Sequence, residues 1–305
     1  MDGMDKGLSR RRVLAGTGAG AGAGSGAACS KPSSADATHW DHECDVLCVG
    51  SGAAAGTAAV TAAAEGARVL MLEKMPLLGG TTAKSGGVCW IFNHFILKEQ
   101  GIEDRKDDAL RYAVRYGYAR HYDPSSPTLG LDENRYKVIE SFYDNGSKAI
   151  DYLRGIDAVQ FKQFRLFSVD KPAFYMDAQS MHINLGLIYD RKGELWKIAM
   201  LAKSHPDHHL PENKVPTGRC LEPAVGSGSS EGGSSLATQL HKFLKAKNVP
   251  IMLETRVTRI VKDAEGRVVG VEADQGGKPI RIKAAKGVVF GTGGYSHNVE
   301  LCDKH

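Results

Sequence analysis

Seven residues, Gly50-Ser51-Gly52-Ala53-Ala54-Ala55-Gly56, have the types and spacing to hold a pyrophosphate. Gly50 permits a tight turn, and Gly52 lacks the Cβ that would keep a phosphate off the backbone. Ala55 lets a helix lie close to a strand, and the helix N-terminus offers amide donors and the positive end of a dipole. Gly56 follows a third position occupied by Ala, a tolerated variant of the pattern. Alone such a pattern is weak. Here an acidic residue, Glu73, follows about 20 residues later, where a carboxylate can accept both hydroxyls of a ribose and repel a 2′-phosphate. A second stretch, Gly79-Gly80-Thr81-Thr82-Ala83-Lys84-Ser85-Gly86-Gly87, supplies backbone amides and hydroxyls. A nicotinamide dinucleotide has no need of a second loop at that place. A flavin dinucleotide does, because its ribityl chain and ring extend beyond the pyrophosphate. The bland alternatives are an Ala/Gly packing helix and a glycine-rich surface loop.

These residues need elements to position them. Residues 44–49 (CDVLCV) form a short apolar run bounded by charge and glycine, which predicts a buried parallel strand. Residues 52–66 read as an alanine-rich helix and 68–72 (RVLML) as a second buried strand, giving one βαβ unit. Helices are expected over 107–120 and 133–154, the latter with a break at Gly146. Residues 156–233 read as irregular. Ser234 or Ser235 is expected to cap a helix running to Lys247, with Leu236, Leu240, Phe243 and Leu244 on one face. The period then changes to two. Residues 256–261, 268–273 and 280–283 predict a three-stranded antiparallel meander, followed by a separate buried strand over 287–291 that enters Thr292-Gly293-Gly294.

The 305 residues suit one large or two modest domains with an ample core. The formal net charge is +4, and the first 28 residues hold +2 of it, with four basic side chains against two acidic ones. No basic stripe with interleaved aromatics appears, which argues against nucleic-acid binding. No apolar run reaches the ~18 residues of a membrane span. Ser9-Arg10-Arg11-Arg12-Val13-Leu14 with the Ala/Gly run to Ala28 predicts a twin-arginine export signal and linker over residues 1–35. The competing reading is a disordered basic tail. Export by that route places the protein in the periplasm or on the outer face of the cytoplasmic membrane. Ala27-Ala28-Cys29 also fits a lipoprotein cleavage site with a lipid anchor on Cys29, although Gly26 stands where a larger aliphatic is usual. The six cysteines make no metal pattern. Cys44 and Cys48 would lie about 13 Å apart on one strand, too far to bridge.

GSGAAAG, EKMPLLGGTTAKSGGVCWI, TRVTRI and GTGGYSHN together resemble one superfamily, the fumarate reductase/succinate dehydrogenase flavoproteins with the 3-ketosteroid 1-dehydrogenases. The loop GGTTAKSGGVCWI is more similar to the ketosteroid branch. The resemblance implies an α/β fold, a glutathione-reductase-type FAD-binding Rossmann domain with a parallel sheet plus an antiparallel β-meander. That domain would span 44–300, with a helical and irregular insertion over 95–233. It implies FAD as cofactor. Gly50, Gly52, Ala55 and Gly56 would hold the pyrophosphate and Glu73 the ribose. Gly79, Gly80, Thr81, Thr82, Ser85, Gly86 and Gly87 would line the ribityl and flavin. Val257 would meet adenine through its backbone, and Thr292 and Gly293 would close over the nucleotide. His94 lies near the loop, where covalent attachment of flavin stays open.

In that superfamily a cap domain and a final flavin-contacting segment follow the Gly-Thr-Gly-Gly turn. The expectation is therefore a fragment or truncated product with the cap domain absent. Its function would be hydride transfer between flavin N5 and a C–C bond next to a carbonyl. The substrate would be a steroid-like ketone or an unsaturated acid, served by an electron-transfer partner. His205-Pro206-Asp207-His208-His209, before Pro211 and Gly218-Arg219, resembles a stretch where ketosteroid dehydrogenases carry a substrate-facing tyrosine. His208 or His209 would stand in its place, polarising a carbonyl or moving a proton. A solvated loop is the alternative there, and a metal site the lesser one, since no Cys or second cluster completes a ligand set. For the whole chain the rivals are a catalytically inactive FAD-binding fragment and a nicotinamide-binding module.

Overall fold

A computed structural model describes residues 39–164, 188–189, 195–196, 215, 219–224, 232–295 and 298–304. The elements all fall in the second of two units of the chain, which begins at Trp40.

The centre is β1 (His42–Val49), flanked in parallel by β2 (Val69–Leu72) and by β11 (Lys278–Phe290). Successive strand residues point to opposite faces, and both faces are covered, so the strands read as unbroken apolar runs. Cys48, Val69 and Met71 face α1 (Ala53–Ala64) and α5 (Gly232–Ala246), while Leu47, Val49, Leu70 and Leu72 face the other way onto Val271, Ala273 and Ile282. Alanines at 55 and 59 bring α1 close to the sheet, and both are fully buried. On α5, Leu236, Leu240 and Leu244 recur at helical spacing and are buried, with Phe243 packed at their edge. Burying one such leucine stabilises the fold by about 1.5–3 kcal/mol.

The full sheet runs β8-β2-β1-β11-β10-β9. β9 (Thr255–Lys262) and β10 (Val268–Gln275) form the expected meander with the first part of β11. The expected separate strands over 280–283 and 287–291 are instead one strand of 13 residues. Residues 278–283 pair antiparallel with β10, and from Ile282 onward the same strand pairs in parallel with β1. Ala284-Ala285-Lys286 contains no turn-forming residue, and a bulge absorbs the change of partner. Cys44 opposes Ala284, whereas Val46 already opposes Gly287. The edge strand β8 (Ile251–Met252) is only two residues long and carries no legible period.

Three further expectations change. The helix α4 (Glu133–Gly155) runs through Gly146 without a break, its neighbours Ser147, Ile150 and Leu153 being buried, which outweighs the weak helix preference of one glycine. Asp132 caps it, accepting from the Arg135 amide at 3.0 Å. α5 begins at Gly232, and the Ser235 hydroxyl lies inside the helix, fully buried, where it accepts from Gln239 Nε2. The irregular stretch contains a small antiparallel sheet. β7 (Cys220–Pro223) lies between β3 (Cys89–Trp90) and β4 (Phe161–Gln163). A ribbon of β5 (Ile188–Tyr189) and β6 (Leu195–Trp196) stands apart from it. The helices α2 (Phe95–Glu99), α3 (Lys106–Gly117) and α6 (Val299–Lys304) complete the described elements.

Candidate cofactor site

Three glycine-bearing loops meet at the carboxyl end of β1, β2 and β11. Gly50 leaves β1 at φ +101°, and a Cβ there would stand 2.5 Å from the Gly291 carbonyl oxygen. A side chain is thus excluded both by backbone conformation and by contact. Gly291 in turn donates to the Val49 carbonyl at 2.9 Å, and its own Cβ would fall 2.4 Å from the Ala55 nitrogen. The turn after β11 is therefore keyed into the turn after β1, which puts the exposed Thr292 and Gly293 beside Gly50. Gly52 caps α1, and the hydroxyl of Thr82 accepts from the Ala53 amide at 2.9 Å. The second loop thereby reaches the helix that the first loop opens. Gly56 sits at the crossing of α1 and α5, where a Cβ would lie 3.2 Å from Leu240 Cδ1. Its visible task is packing.

The second loop sorts its glycines into two kinds. Gly79 and Gly87 close on protein, with Cβ positions 2.7 Å from the Ala83 Cβ and 2.4 Å from the Gly232 backbone. Ser85 anchors the loop to the start of α5, its carbonyl accepting from the Gly233 amide at 2.9 Å. Gly80 and Gly86 meet nothing within 4 Å, and the same holds for Gly293. Thr81 and Ser85 are exposed beside them.

Glu73, at the end of β2, is 6% exposed, and Ser51 is 1% exposed. The Ser51 hydroxyl donates to Glu73 Oε2 at 2.5 Å and accepts from the Gly79 amide at 2.9 Å. The Met75 amide donates to Glu73 Oε1 at 2.9 Å. The Glu73 carbonyl accepts from the Thr255 amide, so β9 starts against the acid, and Val257 stands two residues on. Its strand bulges there, with Val257 opposite Ala273 and Arg259 opposite Glu272. From α5, His241 Nε2 lies 3.0 Å from the Ser51 carbonyl oxygen. Burial holds the His241 pKa below its ordinary value, against the opposing pull of the Ser51 carbonyl and the Glu73 charge. Sequence reasoning gave Ser51 and His241 no role, since Ser51 fills an unassigned place between two glycines and His241 belongs to no spaced pattern.

A second structure supports the loop from behind. Asp104 and Arg219, 1% and 3% exposed, form a two-pronged ion pair at 2.8 and 2.9 Å. The guanidinium lies 4.9 Å from the Tyr112 ring and 5.7 Å from Trp90 and Phe92. Asp104 Oδ2 also accepts from the Asn93 amide, and the Arg219 carbonyl from the Ile91 amide. Both partners thus grip the segment that follows β3, directly downstream of the glycine loop. His94, in that segment, is fully buried. Cys44, Cys48 and Cys220 are buried, and burial raises the Cys44 and Cys48 thiols to about 11 and about 12.

The site fits a flavin dinucleotide. It offers helix-end amides for a pyrophosphate, one fixed carboxylate for a ribose, and open glycines on the second and third loops where a ligand can approach the backbone. His208, His209 and the expected signal with Cys29 lie outside the described residues. Among the described residues, no group of three or more His, Cys, Asp or Glu could hold a metal ion, and no helix is long and apolar enough to cross a membrane.

A parallel sheet with its meander, three interlocked glycine loops and an acid at the end of β2 define a dinucleotide-binding α/β domain of the flavoprotein kind. The chain belongs to the FAD binding domain family, whose profile matches residues 45–305. It is 28% identical over 286 residues to a 3-oxosteroid 1-dehydrogenase of Mycolicibacterium smegmatis, covering 86% of this chain and 49% of that protein. It is 29% identical over 273 residues to a 4-oxocyclohexanecarboxylate 2-dehydrogenase of Sinomonas cyclohexanicum, covering 85% and 45%. The solved 3-ketosteroid-Δ4-(5α)-dehydrogenase of Rhodococcus jostii superposes with a TM-score of 0.61 at 25% identity, over 90% of this chain and 50% of that one. The chain spans about half the length of the curated relatives it matches. FAD is the cofactor of the family, and these relatives make the chain part of an oxidoreductase family.

Proposed function

We propose that this chain is the FAD-holding part of an exported dehydrogenase that transfers hydride between flavin and a C–C bond next to a carbonyl. The observation that carries this reading is the convergence of three glycine loops and Glu73 on one end of the sheet. Gly52 with the first amides of α1 would take the pyrophosphate, Glu73 the ribose, and Gly80, Gly86 and Thr81 the ribityl and ring. Thr292 and Gly293 would close over the nucleotide, and Val257 would meet the adenine. FAD, when bound, supplies hydride acceptance at its N5. The chain's own work is to bind, to orient and to fix charge before the substrate arrives. A steroid-like ketone fits the relatives' names, and an unsaturated acid is the second substrate class. His208 or His209 would polarise the carbonyl or move the proton. The paired arginines and the following Ala/Gly run support twin-arginine export to the periplasm or the outer face of the cytoplasmic membrane. A lipid on Cys29 and a separate electron-transfer partner belong to the same proposal.

The test is to purify the whole chain, record its visible spectrum, and identify any flavin released on denaturation. Anaerobic 4-androstene-3,17-dione is then added. Yellow protein that releases FAD and bleaches with the steroid is the expected result. Folded, colourless protein that rejects added FAD would sink the reading. Yellow protein that no ketone or unsaturated acid affects would leave an FAD-binding domain without turnover of its own.

A further inference from the structure

The ribose acid is not free to choose its own direction. Ser51 has one hydroxyl proton, which goes to Glu73 Oε2 at 2.5 Å, and its oxygen accepts the Gly79 amide at 2.9 Å. Glu73 Oε1 receives the Met75 amide at 2.9 Å. Each carboxylate oxygen therefore has one donor from the protein, and each can accept one more. The plane of the carboxylate is set by two donors before any ligand arrives, which is how a polar site avoids reorganising on binding. Ser51 thereby joins the first glycine turn, the acid and the start of the second glycine loop through one hydroxyl.

We infer that Ser51 is a positioning residue, which aims Glu73 at the ribose diol of an adenine nucleotide and registers the second glycine loop on the first turn. The inference rests on the FAD reading above and deepens it. Removing the hydroxyl takes a donor from Glu73 and an acceptor from Gly79 while leaving the charge of Glu73 in place. Recognition of the diol should fall, and the contribution of the helix end to the phosphates should not.

The experiment uses the whole chain and its Ser51→Ala, Glu73→Gln and doubly substituted forms, with FAD, ADP and 2′-deoxy-ADP as probes in titration calorimetry. Wild type should prefer ADP over 2′-deoxy-ADP. Ser51→Ala should bind ADP and FAD about tenfold more weakly, as for a lost hydrogen bond to a charged group. Its affinity for 2′-deoxy-ADP should change less than about twofold, and the double variant should bind no worse than Glu73→Gln alone. Equal losses on ADP and 2′-deoxy-ADP, or fully additive losses in the double variant, would show a merely structural serine and overturn the inference. Should Ser51→Ala fail to fold, Ser51→Cys keeps the volume with a weak donor, and the same discrimination between nucleotides decides. A wild-type chain that binds none of the three probes overturns the functional reading itself, and the inference with it.

Discussion

The nucleotide-facing unit and the small sheet behind it are held by opposite means. Around β1, α1 and β2 the joints are chiefly apolar runs and glycines, and β1, α1 and β2 are themselves adjacent in sequence, with α5, β8 and β11 joining them from far along the chain. Around β3, β4 and β7 the joint is a buried ion pair between residues 115 positions apart, wrapped in aromatic rings. The first kind tolerates no added atom, since it works by close approach. The second tolerates no lost charge, since a guanidinium without its carboxylate would be stranded in a dry interior. One domain thus places its loop from two sides, by fit in front and by electrostatics behind.

The largest expected effect falls on the rear joint. Asp104→Asn leaves Arg219 uncompensated and should cost about 3–5 kcal/mol in denaturant melts, whereas Asp104→Asn with Arg219→Met should recover part of it. An unchanged midpoint would mean that the pair carries none of the stability ascribed to it. A smaller effect is expected in front. Gly291→Ala drives a Cβ to 2.4 Å from the Ala55 nitrogen and should cost about 1–3 kcal/mol with loss of FAD retention. Gly86→Ala, with nothing within 4 Å, should stay within about 0.5 kcal/mol in the same melts. If both glycines behave alike, their division into closing and open kinds is wrong. The smallest effect is a pH slope. His241 is held below its ordinary 6.5 chiefly by burial, so the unfolded chain binds more protons in that window. Stability from this group is fully present above pH 6.5 and is lost as pH falls through the lower folded value. Melts across pH 5–8 should show it, and His241→Gln should flatten it.

How much of this was legible in the sequence depended on range. β1, α1, β2 and the meander announce themselves through period and punctuation, and the glycines through their neighbours. The pairing of Thr82 with the α1 amide has no local signature, nor does the contact of Gly87 with Gly232, because each joins residues far apart in the chain. β3, β4 and β7 have two to four residues each, too few for a period of two to show. Gly146 suggested a broken helix because its propensity is poor, but burial of Ile150 and Leu153 on the same helix overrides that weak local preference. Ser51 passed unnoticed inside a motif whose glycines draw the eye, although a buried hydroxyl beside an acid was there to be asked about.

The strand shared by meander and parallel sheet has a consequence for how the protein is made. His42 pairs with Ile282, so β1 leaves the ribosome 240 residues before its second neighbour. At roughly 5–20 residues per second, that is a wait of about 10–50 s. Throughout it, one side of the central strand lacks its pairing partner, and Cys44 lacks the cover of Val271, Ala273 and Ile282. When β11 emerges, one strand joins the β9–β10 pair to β1 and brings the last glycine turn beside the first. The cradle is therefore complete only once the last strand of the sheet has been made.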